Sequence, residues 1–272
     1  MVKDIKQYLE FSFDIPFRVE KVSSHGFPAI RIFPDNDGES LFYVDVYFKD
    51  NIRIIIEAAP QRFAASSLED ISNAGEERRR VSSLFASELR KRKAKIDLVI
   101  NGESVEAEES SSWPKTWSDF RFRMTKIPVR VTGSVEDNTR VILEWSSMVI
   151  GMFLALLNVV PISDQYDEEG AQSKITVNKY ERSRVNRELC LAANGYNCKI
   201  CGLNFEEKYG ALGRGFIHVH HIVPVSQMGG SYCIDPTKDL LPVCPNCHAM
   251  LHRNNPPMQP NKLIEIIKQN EK

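Results

Sequence analysis

The apolar positions of the first 160 residues change their period several times. β-branched and aromatic residues cluster at 29–33 and 41–48. A third cluster, 52–57, follows Lys49-Asp50-Asn51, and the three predict strands with a hairpin turn before the last. Over 67–91 the residues Leu68, Ile71, Val81, Leu84, Phe85 and Leu89 suit the core side of a helix, with Gly75 as its natural break. Segments 95–100 and 104–106 flank Asn101-Gly102, a pair that accepts the positive φ of a type I′ turn, so a hairpin is expected there. A further strand is expected over 120–131 and an apolar helix over 139–160. The most apolar stretch, 148–160, reads MVIGMFLALLNVV. It falls short of the ~20 residues a spanning helix needs, which favours a buried core helix over a membrane span.

After residue 160 the pattern changes. Residues 161–176 are polar and acidic, include Pro161 and Gly170, and predict a linker. A helix suits 180–193, with Asn194-Gly195 as its stop. Phe216-Ile217 leads into a histidine-rich strand ended by Pro224, and His248 and His252 stand at helical i, i+4 spacing. The expected organisation is an N-terminal mixed α+β domain at 1–160, the linker at 161–176 and a small second domain at 177–272. A length of 272 fits two domains at roughly 100–200 residues each.

Charge sharpens this division. The whole chain carries a formal net charge of −1. Residues 1–170 hold 22 Lys+Arg against 28 Asp+Glu, a net of −6, and residues 171–272 hold 13 against 8, a net of +5. All six cysteines and five of the six histidines lie in the second part. Two parts with different partners are implied. The N-terminus, MVKDIKQYLE, has no apolar run behind a basic start, so no signal peptide is expected and a cytoplasmic location is.

Two features of the first half admit either a structural or a functional reading. Arg78, Arg79, Arg80, Arg90, Lys91, Arg92 and Lys93, with Lys95 beyond, form a basic stretch. It is either the solvated face of an amphipathic helix or a surface for DNA phosphates. Trp113 and Trp117, with Phe120 and Phe122, are either core or a pocket for a modified, flipped base.

The second half carries stronger chemistry. Cys198-x-x-Cys201 and Cys244-x-x-Cys247 offer four thiolates in two short loops, the donor set of a structural zinc. Cys190 and Cys233 fall outside that spacing, and Cys190 suits a buried thiol on the preceding helix. Five histidines between 218 and 252 form a separate set, since four cysteines already complete a tetrahedron.

GYNCKICGLNFEEKYG, IHVHHIVPVS and CIDPTKDLLPVCPNCHAMLHR together resemble the HNH endonuclease family, zinc-knuckle type with a ββα-metal core. The likeness covers about residues 180–255 and is strongest to the McrA-type modification-dependent restriction endonucleases. It implies roles residue by residue. His221 matches the general base that activates water. His220, His248 and His252 match positions that hold one catalytic divalent cation: Mg²⁺, Mn²⁺, Ni²⁺ or Zn²⁺. Asp239 stands where the family name expects Asn, the residue that orients the loop and the base. Ionised Asp accepts hydrogen bonds but cannot donate. His218 occupies a position often held by Glu, as ligand or as support for one. Arg253, beside His252, is either a stabiliser of the developing anion or a solvated arginine. In a regular strand His220 and His221 would point to opposite faces.

The function implied is phosphodiester hydrolysis in double-stranded DNA bearing modified cytosine, as a restriction activity in defence against foreign DNA. A single site of this kind cuts one strand, so a homodimer is implied for double-strand cleavage, and no membrane partner is. The alternatives are an HNH nuclease indifferent to modification and a non-catalytic zinc module that binds nucleic acid. The second alternative accounts for the four cysteines but not for the His-His pair and the i, i+4 histidines. A membrane-associated effector with a nuclease tail would rest on 148–160 alone.

Overall fold

Ile5, Leu9 and Phe13 recur every four residues and are buried, which makes one face of α1 (Val2–Phe13) apolar. The computed structural model describes residues 1–36, 39–40, 42–50, 52–61, 65–129, 133–157, 184–222, 234–254 and 256–270. The chain divides into two compact units, Met1–Gln172 and Ser173–Lys272.

After α1 the first unit runs β1 (Phe17–Ser24), β2 (Phe27–Asn36), β3 (Glu39–Ser40), β4 (Phe42–Lys49) and β5 (Arg53–Pro60). Then come α2 (Ala65–Ser72), α3 (Glu76–Lys91), β6 (Lys95–Ile100), β7 (Glu103–Val105), β8 (Phe120–Lys126) and α4 (Val135–Leu154). Among the described residues the strands form one eight-stranded antiparallel sheet, ordered β1-β2-β4-β5-β8-β6-β7, with β3 paired to β2. The expected hairpin forms: Asn101 and Gly102 take φ of 53° and 84° between β6 and β7. The expected 67–91 helix is two, because Gly75 stands at the N-cap of α3.

α4 starts earlier than its apolar run. Ser134 accepts the Asp137 N–H at 3.0 Å, and Glu136 and Asp137 favour the positive end of the helix. Fourteen of its residues are buried, so the apolar stretch is core as far as the described residues go. No helix among them is long and apolar enough to cross a membrane. Phe153 of α4 stacks on Phe120 with ring centroids 4.6 Å apart and meets Phe42 and Phe122 at 5.6 Å, joining the helix to the sheet. β8 ends at Lys126 rather than near 131: Pro128 follows closely and has no N–H to continue a ladder.

The expected linker at 161–176 and the start of the second domain at 177 lie outside the described residues. The second unit contains α5 (Arg184–Asn194), α6 (Phe205–Tyr209), a 3-10 turn at Gly210–Gly213, β9 (His218–His221), β10 (Leu240–Val243), α7 (Pro245–Leu251) and α8 (Pro260–Asn270). β9 and β10 pair antiparallel, His221 opposite Leu240 and His220 opposite Leu241. Leu191, Ile200, Ile217, Val243, Leu251 and Leu263 form a small core that also includes Cys198, Cys244 and Cys247.

Candidate metal centres and active site

The first cysteine pair lies in a turn between α5 and α6. The Gly202 N–H bonds the Cys198 carbonyl at 2.9 Å, and the Lys199 N–H bonds the Pro242 carbonyl at 2.9 Å, tying this turn to β10. The second pair begins α7: Cys244 is the N-cap and its sulfur accepts the Cys247 N–H, with Pro245 in the first turn, where no N–H is needed. These two local structures bring the sulfurs of Cys198, Cys201, Cys244 and Cys247 within 4.8 Å of one another. The Cys201 and Cys244 sulfurs are 3.7 Å apart. A zinc tetrahedron with Zn–S bonds of 2.3 Å has an edge of ~3.8 Å. The cluster therefore matches the size of a structural zinc site.

Electrostatics agree. Burial opposes ionisation of Cys198, but backbone N–H groups of Cys201, Cys244 and Ile200 at its sulfur bring its pKa down to about 7. Burial pushes Cys201 and Cys247 up, and for Cys247 the neighbouring sulfurs add to the rise. One thiolate is thus prepared, whereas Cys201 and Cys247 would ionise only with a cation at the centre. Cys190 is elsewhere, fully buried with Ile234 and Leu240, and burial pushes its thiol up to about 12. Cys233 lies outside the described residues.

The histidines assemble from two elements. In α7 the His252 N–H bonds the His248 carbonyl at 3.2 Å, so the i, i+4 pair shares one helix face. In β9 His220 turns towards that face. His220, His248 and His252 bring ligand nitrogens within 4.8 Å of one another, with ring centroids 4.7–5.4 Å apart. His220 is only 3% exposed. Burial, reinforced by the neighbouring imidazoles, lowers His220 and His248 to about 4, so both rings are neutral and offer a lone pair at neutral pH. This donor set fits a divalent ion such as Zn²⁺ or Ni²⁺.

His221 is not in that group. Residues 218–221 keep regular pairing with β10, and the alternation of a strand sends His221 away from His220. Asp239 sits one residue before β10. Its carbonyl accepts the Ile222 N–H at 2.9 Å, next to His221, and its carboxylate accepts the Asp235 N–H at 2.6 Å. The side chain thus braces the 235–239 turn that carries the histidine strand's partner. Arg253 is exposed at the end of α7, beside His252.

His218 shares the face of His220 by strand alternation, and its Nδ1 lies 3.4 Å from Nδ1 of His248. Burial and the nearby Arg187 lower its pKa. Arg187, absent from the sequence expectations, donates to the carbonyls of Gly215 and Ile217 at 3.0 and 3.1 Å and pairs with buried Glu188 at 2.7 Å. It anchors the backbone just before His218. The adjacent Arg187-Glu188 pair gives no sign of this in sequence, because its carbonyl partners are 28 and 30 residues away.

The N-terminal candidates meet a different environment. Arg79 donates to the carbonyls of Ser72, Ala74, Pro114 and Lys115, and Arg78 to those of Asn73 and Leu156. Arg90 pairs with Glu106 and Glu108, Lys91 with Glu88, and Arg92 with Glu88 and Glu144. Arg80 is half-buried on the same helix and Lys93 is exposed at its end. In the folded unit the five paired residues already bond to carbonyls or carboxylates, and a phosphate at this face would share or displace those contacts. Trp113 and Trp117 are 5% and 4% exposed, packed edge to face with each other and with Phe120. Their indole N–H groups bond the Glu106 and Pro114 carbonyls. A stacking base needs an open ring face, and these rings present none, so the pair is core rather than a base pocket.

Residues 198–254 match the family model of HNH endonuclease. The chain is 29% identical over 103 residues to the Type IV methyl-directed restriction enzyme EcoKMcrA of Escherichia coli (strain K12). That match covers 36% of this chain and 34% of the relative, so the chain spans about a third of the relative's length. No solved structure matches.

Proposed function

We propose that the HNH endonuclease domain at 198–254 is a metal-dependent nuclease that hydrolyses phosphodiester bonds in double-stranded DNA. The observation that carries this reading is the convergence of His220, His248 and His252 from β9 and α7. A non-catalytic zinc module has no use for it, because the four cysteines already form a complete site. A divalent ion held by the three imidazoles would polarise the scissile phosphate and ease departure of the leaving oxygen.

The chain's own residues supply the rest. His221, directed away from the ligand face, takes the proton of the attacking water, a task suited to an imidazole near neutral pH. Asp239 holds the 235–239 turn and, through its carbonyl, the backbone beside His221. Arg253, exposed beside His252, would stabilise the charge that develops on the phosphoryl oxygens. The cysteine cluster with zinc sets the position of α7, and so of His248 and His252. Such thiolates persist in a reducing, cytoplasmic setting.

The relative's name, a methyl-directed restriction enzyme, supports a modification-dependent restriction activity; defence against foreign DNA is its natural role, and the first unit is our candidate reader of the modified cytosine. One site cuts one strand, so double-strand cleavage takes two copies of the chain. A second reading, an HNH nuclease indifferent to modification, gains from the burial of Trp113 and Trp117, which removes the expected base pocket. Cleavage of matched methylated, hydroxymethylated and unmodified duplexes with Mg²⁺, Mn²⁺, Ni²⁺ and Zn²⁺ separates them. Selective cutting of modified DNA supports the first, and equal cutting of all three leaves the second. Absence of cutting under every condition refutes both.

A further inference from the structure

His218 and His248 face each other through like atoms, Nδ1 to Nδ1 at 3.4 Å. Two lone pairs at that distance repel, and two N–H groups clash. The arrangement is favourable when one nitrogen carries the hydrogen and the other accepts it. A neutral imidazole has one of each kind, so the choice at Nδ1 dictates the state of Nε2. If Nδ1 of His248 accepts, its Nε2 carries hydrogen and has no lone pair for a metal. If Nδ1 donates, Nε2 is free to ligate.

We propose that His218 is a positioning residue: its Nδ1 accepts the hydrogen of His248 Nδ1, which leaves Nε2 of His248 as the ligating atom. This rests on the reading of His220, His248 and His252 as a metal site. Metal-bound histidines commonly donate their second N–H to a carboxylate or carbonyl; here a neutral imidazole takes that place. The structure holds the acceptor steady. Arg187 clamps the Gly215 and Ile217 carbonyls, buried Glu188 holds Arg187, and the ring of Phe216 lies edge-on to His218 with centroids 6.2 Å apart. His218 is exposed, so its replacement leaves the small core intact.

The test uses the full chain with zinc retained in the cysteine cluster and titrates Co²⁺, read by its visible absorption. The variants are His218→Ala, His218→Gln and His252→Ala. His252→Ala loses Co²⁺ binding if the three-histidine site is real. His218→Ala weakens binding about 10–100-fold, the usual effect of removing such a support. His218→Gln, whose carbonyl can accept the same hydrogen, recovers most of the affinity. In the Zn²⁺-loaded wild type, ¹⁵N spectra show hydrogen on Nδ1 of His248 and metal on Nε2. Wild-type Co²⁺ affinity in His218→Ala, with binding lost in His252→Ala, overturns the role of His218 alone. So does metal on Nδ1 of His248. Wild-type affinity in His252→Ala overturns the metal-site reading and the inference with it.

Discussion

Removal of the cysteine-bound metal should unfold the second unit and spare the first. Four sulfurs gather within 4.8 Å, and the 3.7 Å separation of Cys201 and Cys244 is the edge of a zinc tetrahedron. Among the described residues, three of those cysteines belong to the unit's main core cluster, beside six other buried side chains. Structural zinc contributes an apparent ~10–16 kcal/mol in small folds near pH 7. Whole domains are stable by about 5–15 kcal/mol. The loss therefore equals or exceeds what a unit with so small a core can spare. Without the cation, burial and then the crowding of neighbouring sulfurs oppose ionisation of Cys247. Regional hydrogen exchange of the full chain, before and after chelation with metal content measured, reads both units at once. Peptides from β9, β10 and α7 should lose protection, whereas those from β4, β5 and α4 keep it. Unchanged protection in β9, β10 and α7 after complete loss of zinc would refute the reasoning.

Other expectations concern single sites. In Gly151→Ala the added Cβ would stand 2.6 and 2.7 Å from ring atoms of fully buried Phe85. Overpacking of this kind costs about 1–3 kcal/mol, which thermal unfolding of the first unit should show as a lowered midpoint; an unchanged midpoint would contradict the close approach of α3 and α4. Cys190, with its thiol pushed up to about 12, should resist alkylation at pH 8 in the folded protein and react after denaturation. His220 and His248 have folded pKa values of about 4, below the ordinary 6.5, so the unfolded chain binds more protons between those values. Their contribution to metal-free stability is full above pH 6.5 and declines as pH falls towards 4. A catalytic-site apo variant, such as one studied with zinc only in the cysteine cluster, should therefore melt progressively lower across that window, and a flat profile would contradict the burial of these rings. Trp117→Ala should destabilise the first unit by about 3–5 kcal/mol, as for a large core side chain, in unfolding assays without DNA; near-native stability would reopen the base-pocket reading.

Local signals in the sequence were read most reliably. Asn101-Gly102 dictates its own turn by accepting positive φ, and Gly75 stands in extended backbone as the N-cap of α3, where the helical run divides. The CxxC pairs and the His248/His252 spacing are likewise short-range geometry, so the metal-ligating candidates converge as expected. Ile5, Leu9 and Phe13 also carry a helical period, and Leu263, Ile264 and Ile267 do so in α8, two helices outside the sequence expectations. The basic stretch shows what charge counts leave out, partners distant in sequence: Arg79 donates to carbonyls of Pro114 and Lys115, and Arg92 meets Glu144 across 52 residues. The burial of the Trp pair is likewise a property of the assembled sheet and helices. Arg187 and the His218–His248 contact needed three-dimensional placement to be seen at all.

The most direct measurement is nicking of supercoiled plasmid by the 272-residue chain with Mg²⁺, Mn²⁺, Ni²⁺ or Zn²⁺, comparing wild type with His221→Ala and His248→Ala. Metal-dependent nicking by the wild type, abolished in both variants while zinc content and folded structure persist, is the predicted result. Full nicking by His221→Ala would contradict its assignment as the base, and full nicking by His248→Ala would contradict the three-histidine site.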